Sequence, residues 1–252
     1  MNRTIPTLLV PILLVLVACG PSTGKGDKLL ETGDLEGAVA EYRKVHEKKK
    51  GEDKVALVKL ARALMKLNGE EGKGSAASWQ ETYQLLEKAK AAEPLPPEVD
   101  PIKDWELGDS AWEAGKALLD EGKSQEAVKM LEAAVEHGRD GGNVYEALTR
   151  ARLDSGDQQG AVDAALLAIK QNTDDGKLLR QAALLSHQLG RKADCHELML
   201  VAEALEPAGF KFLNHKKIHG LVSRSYYYLT TGMLETVFTT ARLEPSRVKE
   251  WK

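Results

Sequence analysis

LLDEGKSQEAVKMLEAA, residues 118–134, decides the fold, because the chain writes the same frame twice more: RLDSGDQQGAVDAALLA over 152–168 and SHQLGRKADCHELMLVA over 186–202. Gly122, Gly156 and Gly190 are spaced by 34 residues and then by 34 again. Four places before each glycine stand Leu118, Arg152 and Ser186, and five places after it stand Ala127, Ala161 and Cys195. Nine after come Leu131, Ala165 and Met199, and twelve after come Ala134, Ala168 and Ala202. A period of this length is the mark of a stacked supersecondary unit that cannot bury its apolar face alone. The glycine permits the left-handed residue that ends one helix. The small residues let two helix axes approach toward the lower end of the usual ~8–10 Å.

This frame resembles the tetratricopeptide repeat (TPR) family, whose units are two antiparallel helices joined at a glycine. The resemblance implies an all-α, right-handed superhelical solenoid of about six helix pairs. It is strongest over 108–207, read as three regular units, and looser elsewhere. Gly33, Ala38, Tyr42 and Val45 fit a first unit with a short opening helix. A second unit follows over about 53–68 and 77–92, with Gly69–Gly74 lengthening its turn and Ala89 and Pro94 at the end. These two make an N-terminal part over 26–94. Leu95-Pro-Pro-Glu-Val-Asp-Pro101 breaks the array, so 95–107 reads as an irregular linker and the start of the next helix. Beyond Pro207 the frame shifts: Gly232 lies 42 residues after Gly190, and 208–252, with Tyr228 and Ala241-Arg-Leu-Glu-Pro245, reads as a degenerate last unit and cap. Arg152 and Ser186 depart from the large apolar residue usual at their position.

Residues 1–18 have the layout of a secretory leader: Arg3, then a nearly unbroken apolar run from Ile5 to Val17, then small residues. The run is too short to span a bilayer as a helix, and Pro6 and Pro11 weaken it further. Leu16-Val17-Ala18-Cys19 resembles a bacterial lipobox, which implies cleavage before Cys19 and lipidation of that residue. Several acyl chains together anchor durably where one alone binds marginally. Gly20, where retained inner-membrane lipoproteins of the enteric type carry Asp, points to the outer membrane. Residues 19–25 then form a lipidated flexible tether.

Composition agrees with helices and excludes several functions. The 252 residues are 42% hydrophobic and only 5% aromatic, too few rings and β-branched runs for a sandwich or barrel and too much apolar residue for disorder. Lys and Arg number 35 against 38 Asp and Glu, which removes any bulk-charge case for a nucleic-acid partner. With Cys19 assigned to lipid, Cys195 is an unpaired thiol at a small packing position. His215 and His219 have helical metal-ligand spacing but are separated by lysines, with no carboxylate near, so no metal is expected. His187, Cys195 and His196 do not face one another on helices. The run Tyr226-Tyr-Tyr228 reads as packing and capping. Phosphate-cradling loops and catalytic carboxylate pairs are missing. Neither a cofactor, nor a small-molecule substrate, nor enzyme activity is expected.

The resemblance also implies a binding wall, formed in the family by the first helix of each pair. Its groove positions fall here on Asp109, Trp112, Lys116 and Leu119; on Asn143, Glu146, Arg150 and Leu153; and on Lys177, Arg180, Leu184 and His187, with Tyr226 in the last unit. Four of the clear positions are cations, against Asp109 and Glu146. Trp and Arg are the residue types that most often carry interface energy; the alternative is that Trp112 and the leucines pack between helices and the cations form a solvated face. The architecture is like that of TPR lipoproteins that act as pilotins or envelope-assembly factors. The expected function is therefore a lipid-anchored scaffold that binds other envelope proteins and helps assemble a machine such as a type IV pilus secretin. The alternative is an adaptor tethering peptidoglycan enzymes.

Overall fold

Gly33, Gly122, Gly156 and Gly190 all stand at positive φ, 84°, 72°, 85° and 75°. At each, the residue after the glycine donates its amide back to the carbonyl five residues earlier: Asp34 to Leu29, Lys123 to Leu118, Asp157 to Arg152 and Arg191 to Ser186, at 2.8–2.9 Å. This is the backbone closure that ends a helix on a left-handed residue. The position four before the glycine is thus part of the joint itself, which is why the frame includes it.

The computed structural model describes residues 22–70 and 74–205. The leader, Cys19, Pro207, the histidines at 215 and 219, Tyr226–Tyr228 and Gly232 lie outside the described residues. Among the described residues ten helices run in chain order: α1 (Gly24–Glu31), α2 (Leu35–Lys48), α3 (Lys54–Gly69), α4 (Ala76–Ala91), α5 (Asp104–Asp120), α6 (Ser124–Glu136), α7 (Gly142–Ser155), α8 (Gln158–Lys170), α9 (Gly176–Gln188) and α10 (Lys192–Leu205). The starts of α6, α8 and α10 are each 34 residues apart. Each helix packs on the next, as short joints between antiparallel neighbours demand. Helices two apart also touch: α5 with α7, α7 with α9, and α8 with α10. In the last three pairs the first helices, α5, α7 and α9, therefore form one layer, with α8 and α10 side by side in another, and the described residues make an all-α solenoid of five pairs.

Local chemistry explains the helix starts. Asp34, Asp53, Asp157 and Asp175 each stand just before a helix and accept the amide of the residue three along, at 2.8–3.0 Å. Such a side chain satisfies one of the amides a helix start leaves without a partner. Ser75 does the same for α4 at 3.2 Å.

The repeat frame is the core. Ala127, Ala134, Ala161, Ala168 and Ala202 are fully buried, and Cys195 is buried at the equivalent small position. Burial pushes the Cys195 thiol up, away from reactive thiolate. The two departures from the frame are accommodated by polar joints. Ser186 is buried and its hydroxyl donates to the Arg191 carbonyl at 2.8 Å. Arg152 donates to the Gly160 carbonyl at 2.9 Å and pairs with Glu132 at 2.6 Å.

A second glycine series, Gly108 and Gly142, shares the 34-residue period and positions the wall described below. A Cβ on Gly108 would stand 3.2 Å from the carbonyl oxygen of His137, and one on Gly142 would stand 2.9 Å from that of Gln171. Each lets the loop entering the next pair lie directly against the first helix of its own pair.

Candidate partner-binding wall and its cleft

The expected wall positions lie on the layer formed by α5, α7 and α9, and the structure places them unequally. Trp112 is not an open anchor: it is 7% exposed and belongs to the central core with Leu107, Ala111 and Leu148. Its ring is capped by cations, with Lys116 Nζ 5.0 Å and the Arg139 guanidinium 5.6 Å from the ring centroid. Lys116 also pairs with Glu113 at 2.8 Å. Leu119 and Leu153 are half-buried and pack against the core. Glu146 accepts the hydroxyl of Thr173.

The cationic bias counted from the sequence is reduced by pairing. Arg150 is exposed but forms an ion pair with Asp175, the residue that caps α9. Asp109, on the same face, is held by Arg139 at 2.7 Å. These partners sit in the interhelix loops, at 139 and 175, and so escape a reading confined to helix positions. Lys177, Leu184 and His187 are exposed on α9, Leu184 at 36%, and Arg180 is half-buried. Tyr226 lies outside the described residues.

Trp105 is the wall residue that sequence reasoning missed. It is 59% exposed, the most exposed large apolar side chain among the described residues. It precedes Asp109 by four and Trp112 by seven, so it continues the same face of α5 toward the helix start. That spacing was a usable signal, but a repeat taken to begin at 108 cuts it off.

Beside Trp105 opens a cleft of about 300 Å³ lined by Asp109, His137, Arg139, Asp140 and Asn143, with Gly138 and Gly141 between them. One wall is α5 and the other is the loop from α6 into α7. Gly108 brings that loop down onto α5, and Gly138, at φ 80°, turns it. From behind, the His137 ring rests against Tyr83 of α4, centroids 6.2 Å apart and tilted by 58°. The Arg139–Asp109 pair lines the cleft, and the Arg139 guanidinium also lies over the Trp112 ring. The cleft thus presents an indole with open area, two carboxylates and one already neutralised guanidinium. Among the described residues, no cluster of three or more His, Cys, Asp or Glu is placed to hold a metal ion.

No protein-family model matches the chain, and no curated protein matches it. Solved structures do resemble it. A structure described as YrrB, a TPR protein with an unusual peptide-binding site, is 17% identical over 76% of this chain and 88% of that one, with a TM-score of 0.43. MamA (residue 41 to end) from Desulfovibrio magneticus RS-1 is 16% identical over 73% of this chain and 92% of that one, at 0.39. A further MamA crystal structure is 18% identical over 74% and 96%, at 0.41.

Proposed function

We propose that this chain is a lipid-anchored scaffold that holds partner proteins against the layer formed by α5, α7 and α9. The observation that carries the reading is the set of exposed side chains on that layer. The layer stacks side by side over three repeats, and its outer face offers exposed Trp105 and Leu184 beside exposed Arg150, Lys177 and His187. Trp and Arg are the residue types that most often carry interface energy, which favours docking over a merely solvated face. Anchoring rests on Leu16-Val17-Ala18-Cys19 and the apolar run before it. No helix among the described residues is long and apolar enough to cross a membrane. A periplasm-facing outer-membrane position, and a role in assembling an envelope machine such as a pilus secretin, are the finer reading. Tethering of peptidoglycan enzymes is its alternative.

Site-specific photocrosslinking in cells tests the docking wall. A crosslinker at position 150, 177 or 184 is expected to give discrete protein adducts. One at Leu167, exposed on α8 in the other layer, is not. Equal adducts from both layers, or none from the first, overturn the reading. The adducts' identities separate an envelope machine from wall enzymes. Cys19→Ser is expected to move the protein from the membrane to the soluble fraction and to lose those adducts.

A further inference from the structure

We propose that the cleft beside Trp105 receives one basic side chain, Lys or Arg, of a partner polypeptide. The inference rests on the docking-wall reading and adds to it the chemistry of one contact.

The charge of the cleft points to a cation. Its walls carry Asp109 and Asp140 against one cation, Arg139. Arg139 is already answered by Asp109 at 2.7 Å, which leaves the exposed Asp140 carboxylate uncompensated at the rim. An acidic segment entering here would meet the Asp140 carboxylate.

The aromatic chemistry agrees. Seven residues on, along the same face of α5, Trp112 carries two cations against its ring. Trp105 has the same indole chemistry and 59% of its surface open. Trp is the strongest of the aromatic cation acceptors, and a cation above this ring also lies beside a carboxylate-bearing loop. The volume agrees as well. About 300 Å³ is the lower end of the range for ligand sites, room for one long side chain whose stem lies along the indole.

The test uses the full chain, isotope-labelled in detergent, titrated with the blocked peptide Gly-Gly-X-Gly-Gly in which X is Arg, Lys, norleucine or Glu. The indole N–H resonance of Trp105, identified by its loss in Trp105→Leu, and the amides of 138–143 report on the cleft. Arg and Lys peptides are expected to move these resonances saturably by about 10 mM, the range expected for a single anchoring contact. Norleucine should bind at least several-fold more weakly, and Glu should give no response. Asp140→Asn should weaken the Arg peptide several-fold while the remaining amide spectrum stays native. Norleucine or Glu binding as well as Arg, no movement by any peptide, or an Asp140→Asn protein that binds Arg unchanged, overturns the proposal. The titration needs no natural partner. Normal crosslinking at 150, 177 and 184 with no peptide response therefore defeats the cleft alone, and the reverse result defeats the docking wall alone.

Discussion

Gly142 and Gly156 sit at the two ends of α7 and are glycine for different physical reasons, so one pair of substitutions separates them. Gly156 is at φ 85° with nothing within 4 Å of where a Cβ would stand. Gly156→Ala is therefore expected to cost only the left-handed backbone strain, about 1–2 kcal/mol. Gly156→Asn, whose side chain tolerates that region, should recover a good part of it. Gly142 has ordinary φ, but a Cβ there meets the Gln171 carbonyl at 2.9 Å and the Thr173 amide at 3.2 Å. Both are backbone atoms, so Gly142→Ala must move the α8–α9 loop, and Asn cannot help. Urea midpoints of the four variants check this: rescue by Asn at both sites, or at neither, contradicts the assignment. Asp53 offers a pH-dependent case. The Ala56 amide donating to it, opposed in part by burial and aided by Lys49, holds its carboxyl below the ordinary carboxylate value. A depressed folded pKa means stability that is complete above the ordinary value and lost as pH falls through the folded one. Asp53→Ala should cost about 1 kcal/mol at neutral pH. The gap to the unaltered protein should close on acidification, as read by urea unfolding at a series of pH values. A gap unchanged at acid pH would mean that the carboxylate is not the cap.

Between α4 and α5 the regular spacing breaks at 92–103, and the join is made by a side-chain splice rather than by a tight turn. Arg62 of α3 donates to both carboxylate oxygens of Glu106 on α5, at 2.7 and 3.1 Å, and to the Pro101 carbonyl at 3.1 Å. Glu106 is 3% exposed and also accepts the Lys103 amide at 2.8 Å, so it caps α5 as well. The Arg62 guanidinium, with Glu106 as its strongest influence, is pushed up. Removing only the cation leaves a buried carboxylate without its partner. Arg62→Met is therefore expected to cost about 2–3 kcal/mol, at or below the low end for buried pairs because the Arg62 side chain keeps 30% exposure. The double change Arg62→Met with Glu106→Leu should be less damaging than the single one, since no charge remains stranded. Thermal or urea unfolding of the three variants decides it, and a double variant no better than the single one would count against the buried-charge account. This splice was not legible in the sequence, although the helices it joins were. The glycines at 122, 156 and 190 and the alanines that follow them mark joints and crossings through backbone conformation and volume, which are local and periodic. Arg62 and Glu106 are 44 residues apart, and their meeting depends on how α3 and α5 are turned toward each other. The expected wall positions come from the resemblance to the repeat family, and they share one layer because α5, α7 and α9 stack side by side. Trp112's burial and the loop partners Arg139 and Asp175 depend on packing between repeats, and so were not legible.

Among the described residues the core is not one body but a chain of three clusters that share helices. The central one runs from Leu57 and Val58 on α3 through α4–α7 to Ala164 and Ala168 on α8. A second joins Ala161, Val162, Ala165 and Ile169 on α8 to α9 and α10. A third packs α2 against Leu60, Ala63 and Leu64 on α3. Thus α3 and α8 each present one face to one cluster and another face to the next, and with Leu85 on α4 and Leu153 on α7 they couple the repeats. That is the situation in which nearest-neighbour coupling, rather than a single all-or-none core, governs unfolding. Leu131 and Leu198 distinguish the two behaviours, because both are fully buried leucines, in the central and the α8–α10 clusters respectively. Truncation to Ala costs about 2–5 kcal/mol at such sites. Under nearest-neighbour coupling, Leu198→Ala should raise amide hydrogen exchange throughout α9 and α10 while α5 and α6 keep their protection. Leu131→Ala should raise exchange from α3 to α8, because the central cluster draws on all of them. An all-or-none core predicts the same acceleration in every protected helix for either variant. Exchange measured helix by helix therefore tests whether the α9 part of the docking wall can open without the cleft at α5, and protection of α5 lost in Leu198→Ala would show that the two ends of the wall are held as one.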